Sequence, residues 1–388
     1  MRITALALSL GLACAGPSFA AEQRGEPTYA LSPDLTTVQH NCIVRLHDDI
    51  PSLEVEVRAH SLLKRANALN AAAGRANASL KYLYRHSIKG FTLDLPCDRA
   101  RAAFGDDADV MTFEPDGIMA ATKAKPGIVP EPVETTPWSV VRVGGPGDGT
   151  GRTAWIIDTG IDLANADLHI ETANAFSAFT DRRNAGYDDK NGHGTHVAGI
   201  VAAIDNDIDV VGVAAGATVV PVKVLDARGS GTISGVIAGV DHVAANAAPG
   251  DCANMSLGGA ISPSLDNAVA NASINGVYFT IAAGNDGADA NNYSPARVNG
   301  PFIYTISATD STDTMPYWSN YGNPPVDYAA PGVNILSLRA GGGTVTMSGT
   351  SMAAPAACGV LLMTDGYPNS DGTALADPDG DSDPIIHF

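Results

Sequence analysis

From Thr153 onward the chain repeats one pattern: a short run apolar on both faces, then a longer stretch with helical spacing. The apolar runs cover residues 153–157, 219–225, 252–257 and 277–281, and the helical stretches cover 193–204, 233–247 and 263–275. A strand with apolar side chains at successive positions has no face to offer water, so it belongs inside a sheet covered on both sides. Strands that alternate with helices form parallel sheets, because each crossover returns the chain to the same end. The expected fold is therefore an α/β domain built on a parallel sheet. In such sheets the chemistry gathers beyond the carboxyl ends of the strands. Asp158, Ser256 and Asn285 fall at or just past predicted strand ends, and His193 opens a predicted helix. These polar candidates converge on one edge.

The chain ahead of this domain reads differently. Residues 41–114 give a strand over 42–46, a helix over 58–73 with Leu62, Ala66, Leu69 and Ala73 at helical spacing, and two alternating strands near 80–84 and 91–95. A short helix over 98–104 and a strand over 110–113 follow. The order βαββαβ predicts a small α+β ferredoxin-like sandwich. Residues 123–137 then hold four prolines among glycine, glutamate and threonine, a composition that stays extended and exposed to proteolysis. The Gly-rich 144–151 precedes a strand rather than opening a helix, which argues against a phosphate loop. At the N-terminus a basic start, the apolar stretch 5–15 and Ser18-Phe19-Ala20 describe a secretory signal peptide. A lipid anchor at Cys14 fits less well, with Gly11 where a leucine is wanted. The expected organisation is a signal peptide over 1–20, the small domain over 38–120, a linker over 121–137 and the main domain over 138–388.

Export places the chain in an oxidising compartment. Loss of Cys14 with the signal leaves Cys42, Cys97, Cys252 and Cys358, an even number that permits disulfides in more than one connectivity. Pairing within each predicted domain is the natural expectation, and four buried thiols are the alternative. The net charge of −19 opposes nucleic acid or an anionic membrane surface as partner.

A candidate nucleophile lies near the C-terminus in Gly349-Thr350-Ser351-Met352-Ala353-Ala354-Pro355. Its neighbours are too small to shield Ser351. Residues 342–347 read as half a hairpin, and 356–363 as a buried helix with Pro355 in its first turn. That places the hydroxyl at a positive helix end. Alone, such a serine is more often structural than catalytic. Together with Asp158-Thr159-Gly160 and Asn191-Gly192-His193-Gly194-Thr195-His196-Val197-Ala198-Gly199, however, the stretch resembles the subtilisin-like serine proteases, the subtilases, and among them the proteinase K branch. The resemblance covers roughly residues 138–363. Its order is Asp, His, Ser, whereas α/β-hydrolases place Ser first.

The resemblance implies a secreted serine endopeptidase, periplasmic if the source is Gram-negative. Ser351 would be the nucleophile, His193 the base and Asp158 the group that holds the imidazole tautomer. Spacing does not choose between His193 and His196; the resemblance picks His193 and leaves His196 as support. A His-x-x-His metal pair would need a matching Glu that is absent. Asn285 with the Ser351 N–H would form an oxyanion hole, although Asn285 alone reads as a turn residue. Gly229, Ser230, Gly231 and Ser256, Leu257, Gly258 would clamp an extended peptide by backbone bonds. Ala283, Gly284 and Gly258 would line a roomy first pocket, and Ile233 would wall a more distant one. With no acidic residue in the first pocket, broad, apolar-preferring specificity is expected.

No cofactor is expected for catalysis. The resemblance implies a structural calcium held by Asp327 with the carbonyls of Pro301 and Ile303. The acidic run 377–383 fails the EF-hand spacing and reads as solvated charge. The small domain resembles the inhibitory propeptide of subtilases, with self-cleavage expected within 119–136; a permanent accessory domain is the alternative. The partners implied are peptide or protein substrates and the chain's own propeptide, with the protein a monomer. One departure is Ala356-Ala357-Cys358-Gly359 where the family usually shows His-Val-Ala-Gly, which bears on helix packing and sets Cys358 to answer Cys252. An esterase or amidase acting on small substrates would reuse the same triad, and a silent peptide-binding protein is a third class.

Overall fold

A computed structural model describes residues 38, 40–121, 134–181 and 183–388. The expected signal peptide and most of the expected linker lie outside the described residues. The described residues pack as one compact unit.

The N-terminal part of that unit is a four-stranded antiparallel sheet with two helices. Its strands are Cys42–Leu46, Leu80–Tyr84, Gly90–Leu93 and Val110–Pro115, and its helices are Val55–Ala72 and Cys97–Phe104. The first strand lies centrally, between the third and the fourth, and the second takes the edge, the ferredoxin-like order. The long helix buries Val55, Ala59, Leu62, Ala66 and Asn70. This stripe leaves Leu69 outside, 52% exposed, although it shares the helical spacing of Leu62 and Ala66. A disulfide joins Cys42 to Cys97, tying the central strand to the second helix.

The larger part carries a mostly parallel sheet. From one edge its strands run Asn369–Thr373, Pro384–His387, Val326–Pro331, Ile303–Thr309, Tyr278–Ala282, Cys252–Met255, Thr153–Asp158 and Thr218–Lys223, then the short His169–Ile170. Only the first pair is antiparallel. The central strands are buried on both faces, as their apolar runs require. Helices Ile233–Asn246 and Pro263–Ser273 contribute to one hydrophobic cluster. Helices His193–Ala202 and Thr350–Met363 contribute to a second. A second disulfide, Cys252–Cys358, links a central strand to the helix Thr350–Met363. Closing a loop of 106 residues is worth about 4–5 kcal/mol on a chain-entropy argument. Among the described residues no helix is long and apolar enough to cross a membrane.

Two local expectations change. The helix containing Ser351 begins at Thr350, not after Pro355, so the proline sits inside it. A proline lacks the N–H that would bond the carbonyl four residues back, here that of Ser351. The Ser256 hydroxyl donates to that carbonyl instead, at 2.8 Å, and the helix continues. The second is the C-terminus, where Asn369–Thr373 and Pro384–His387 form a strand pair against the sheet edge, while residues 378–382 between them are exposed.

Candidate active site

Each candidate side chain stands at an element boundary. Asp158 is the last residue of the strand Thr153–Asp158, and His193 is the first of the helix His193–Ala202. Glycine lets these two meet. A Cβ on Gly194 would lie 2.2 Å from the Gly160 carbonyl oxygen, and Gly160 itself has φ +105°. The Gly194 N–H then donates to the Thr159 hydroxyl at 2.9 Å.

The His193 Nδ1 lies 2.8 and 2.9 Å from the two carboxylate oxygens of Asp158, and both residues are buried. Between carboxylate and ring, Nδ1 must carry the proton, which leaves Nε2 as the basic nitrogen. Burial disfavours a charged imidazole, but the charge and hydrogen bond of Asp158, helped by Asp189, outweigh it and raise the His193 pKa above 6.5. The Nε2 is buried and has no hydrogen-bond partner. The Ser351 hydroxyl donates to the Ser256 carbonyl at 3.2 Å, so the proton-transfer bond to His193 is not made in this state. Catalytic hydrogen bonds of this kind often tighten only once substrate is bound.

Asn285 follows the strand Tyr278–Ala282. Its Oδ1 accepts from both the N–H and the hydroxyl of Thr350, each at 2.9 Å, and this fixes the side-chain amide with Nδ2 pointing away. That Nδ2 is buried and unpartnered. An unmet donor and an unmet ring nitrogen are each costly when shielded from water, and both belong to expected reacting groups.

His196 plays a different part. Its Nε2 donates to the carbonyls of Ile335 and Val345, both at 3.1 Å, which ties the helix to the hairpin Ile335–Leu338 and Thr344–Met347. Burial, then the nearby His193, drive its pKa down to about 3, so the ring stays neutral. Among the described residues no three His, Cys, Asp or Glu side chains converge as a metal site would need.

The expected substrate groove is filled by the chain itself. The strand Ile118–Ala121 pairs antiparallel on one side with Ser230–Thr232 and on the other with Leu257–Gly259. Ala121 donates its N–H to the Gly229 carbonyl at 2.9 Å. Met119 sits opposite Gly231 and Gly259, is fully buried, and joins Ile233 in one hydrophobic cluster. Ala121 lies opposite Leu257, one step from Ser256. The Ser256 side chain turns inward, accepting from Asn254 at 2.9 Å, and leaves its carbonyl at the groove. Ala283 and Gly284 are buried beside Thr350, whose hydroxyl accepts from the Gly284 N–H at 3.1 Å.

The small ferredoxin-like part grips the two helices that flank the groove. Asp116 accepts from the Ser234 N–H at 3.0 Å and from its hydroxyl at 2.6 Å, at the start of Ile233–Asn246. Glu114 accepts from the Ser264 N–H at 2.9 Å, at the start of Pro263–Ser273. In return Asp241 accepts the N–H groups of Arg85, His86 and Ser87. Carboxylates placed on helix N-termini are favoured by the helix dipole and by the open N–H groups.

Sequence reasoning assigned no role to Thr350 or Asp189. Asp189 collects the N–H groups of Asn191, Gly192 and Thr195 and the hydroxyls of Thr159 and Thr195, and so holds the His193 helix start against the Asp158 strand end. The unread signal for it is a carboxylate two residues before Asn191-Gly192. The fully buried Lys223, whose Nζ donates to the carbonyls of Thr159 and Leu225, left no such sign.

A parallel α/β sheet with a buried Asp158–His193 contact and Ser351 in the first turn of a helix defines the class of serine-hydrolase folds in which strand ends assemble the chemistry. The chain belongs to the subtilase family, whose model matches residues 149–376. It is 40% identical over 75% of its length to alkaline serine exoprotease A of Vibrio alginolyticus, covering 54% of that protein. It is 32% identical over 94% of its length to proteinase R of Parengyodontium album, covering 90% of it. The chain thus spans about half of the first relative and most of the second. It also matches the crystal structure of a cold adapted subtilisin-like serine proteinase, with TM-score 0.58, 37% identity, and coverage of 65% of this chain and 98% of that one.

Proposed function

We propose that the protein is an exported serine endopeptidase, made as a zymogen, that cleaves peptide bonds through Asp158, His193 and Ser351. The observation that carries this reading is the pair of shielded, unpartnered atoms, His193 Nε2 and Asn285 Nδ2, an acceptor and a donor beside a helix-start serine. In the reaction the Ser351 oxygen attacks the substrate carbonyl carbon while His193 Nε2 takes its proton. The negative oxygen that results is held by Asn285 Nδ2 and the Ser351 N–H. The C–N bond then breaks as the imidazolium returns the proton to the leaving amine, and water hydrolyses the Ser351 ester by the same route.

The small domain is read as the inhibitory propeptide, with its strand Ile118–Ala121 lying in the groove as a peptide would. Specificity is broad and apolar, since the strand is held by backbone bonds and its buried side chains, Met119 and the small Ala121, are apolar. Asp327 is half-buried, its pKa pushed up to about 6 by that burial, and it accepts from the Thr305 N–H at 2.9 Å. A calcium ion with the Pro301 and Ile303 carbonyls suits a carboxylate that has no ion pair among the described residues. The ion would stabilise the sheet and take no part in the chemistry.

The test is a fluorophosphonate label on the mature protein together with hydrolysis of casein and of a simple ester. Labelling at Ser351 with casein cleavage supports the reading; ester cleavage alone points to a small-substrate hydrolase, and no labelling removes a catalytic role. In the same assay Asn285→Ala is expected to lower kcat by about 10²–10³ with KM little changed, a magnitude known from a subtilisin rather than from these distances. Replacing Glu114 and Asp116 together by Ala removes two charge-assisted caps. The released small domain should then inhibit roughly 10–100-fold less strongly, seen as a shorter delay between processing and activity. An unchanged delay would mean that the contacts at the two helix starts do not hold the inhibitor.

A further inference from the structure

Lys223 is a charged side chain with 0% exposure, and no step of the reaction uses it. It ends the strand Thr218–Lys223, directly beside Asp158, which ends the strand Thr153–Asp158. Its Nζ donates to two main-chain carbonyls, that of Thr159 and, at 3.2 Å, that of Leu225. The ammonium also stands 5.9 Å from the centre of the Phe179 ring. Burying such a charge costs free energy that a methionine of similar length would not. Burial lowers the Lys223 pKa, while Asp189 and Asp158, then Asp226 and Asp188, oppose the fall.

The two carbonyls that Lys223 holds belong to different parts of the site. Thr159 donates its N–H to the Asp158 carboxylate at 2.7 Å. Its hydroxyl donates to Asp189 and accepts the Gly194 N–H, both at 2.9 Å. Thr159 therefore helps to aim the carboxylate that holds His193. Leu225 lies instead at the entry to the turn that carries the substrate edge. The next residue, Asp226, donates its N–H to the Ser230 carbonyl at 2.8 Å. Its carboxylate accepts the N–H groups of Arg228 and Ser230 at 2.8 and 3.1 Å. Ser230–Thr232 is the strand along which Ile118–Ala121 lies. The Asp158 carbonyl accepts the N–H groups of Val224 and Leu225 at 2.9 and 3.1 Å, so a short run of bonds joins edge and carboxylate.

We propose that Lys223 is a positioning residue, tying the substrate edge Ser230–Thr232 to the Asp158–His193 pair so that pairing of an extended peptide raises kcat. This role rests on the reading of the protein as a peptidase acting through Asp158, His193 and Ser351. A strand edge gains its full set of main-chain bonds only when a peptide lies on it. Those bonds order the turn 225–230, and through the Lys223 ammonium the order reaches Thr159 and the aim of the Asp158 carboxylate. Binding energy collected away from the scissile bond then appears in kcat rather than in KM. A lysine that only filled and braced the fold would, once removed, slow short and long substrates alike.

The test measures kcat and KM of the mature protein on the p-nitroanilides of acetyl-alanine and acetyl-tetra-alanine, the first too short to reach Ser230–Thr232. In the parent the longer substrate should gain at least about tenfold in kcat. In Lys223→Met that gain should shrink to about twofold or less, while the fall in KM on lengthening stays within about twofold of the parent's. Asp226→Ala loosens the same turn from its other end and should lose the kcat gain in the same way. A fluorophosphonate label at Ser351 identifies the variants that are folded and competent. The proposal is overturned if the parent shows no gain, or if labelled Lys223→Met keeps the gain or slows both substrates alike. Should Lys223→Met fail to fold, Asp226→Ala decides by the same criterion. A parent that takes no label would instead remove the peptidase reading, and this role with it.

Discussion

Ser351→Ala should accumulate as a single full-length chain that neither processes itself nor digests casein. Without the hydroxyl there is no atom to form the acyl intermediate, and neither His193 nor Asn285 supplies one. In a subtilisin, removal of the nucleophile costs about 10⁶ in kcat, a figure carried over and not computed from the present geometry. The check is N-terminal sequencing of the secreted product beside the parent. A mature N-terminus on the variant would show that another protease performs the cut and that the groove-filling strand is not a self-cleavage substrate. Because the substitution removes only one oxygen from a fully buried position, the variant should fold and keep the Ile118–Ala121 strand in place.

Asp158→Asn should lower kcat by about 10⁴, again a magnitude known from related triads. The amide nitrogen would donate to Nδ1 and push the proton onto Nε2, the wrong nitrogen for a base. The same substitution carries a second, independent signature in pH. A neutral ring is required to accept the Ser351 proton, so kcat/KM falls as pH drops through the His193 pKa, which lies above 6.5 in the parent. Burial, the largest influence on that ring, lowers its pKa, and it is outweighed only by the Asp158 charge and hydrogen bond, with Asp189 helping. Removing the Asp158 charge should therefore move the acid limb of the residual activity to lower pH. A limb that stays in place or moves upward would mean that Asp158 does not set the ionisation of His193.

Much of the architecture could be read from the chain because its signals are local. Runs such as Ala154-Trp155-Ile156-Ile157 are apolar at every position, which only an internal strand tolerates. The βαββαβ order follows from residues near one another in sequence, whereas the within-domain cysteine pairs, 55 and 106 residues apart, were one of two readings the sequence left open. Legibility ended where a partner lies far along the chain. The strand Ile118–Ala121 is four residues long and has no stability of its own; its partners are at 230–232 and 257–259. The helix start at Thr350 depended on a hydroxyl at Ser256, 95 residues away, answering the carbonyl that Pro355 leaves open. Leu69 stayed outside because the buried stripe of its helix was set by packing rather than by its own apolarity.

The chain's own pattern determined a covered parallel sheet and put an aspartate, a histidine, a serine and an asparagine at the ends of its elements, since strand period and helix entry are properties of neighbouring residues. Tertiary packing alone decided which atoms of those residues remain unmet. Thr350 turns the Asn285 amide so that its nitrogen is spare, Asp158 occupies one ring nitrogen of His193 and leaves the other, and the sheet edge draws Asp383 out of water while its neighbours in the run stay wet. Those outcomes depend on hydrogen bonds between distant segments, whose geometry exists only once the segments are held together.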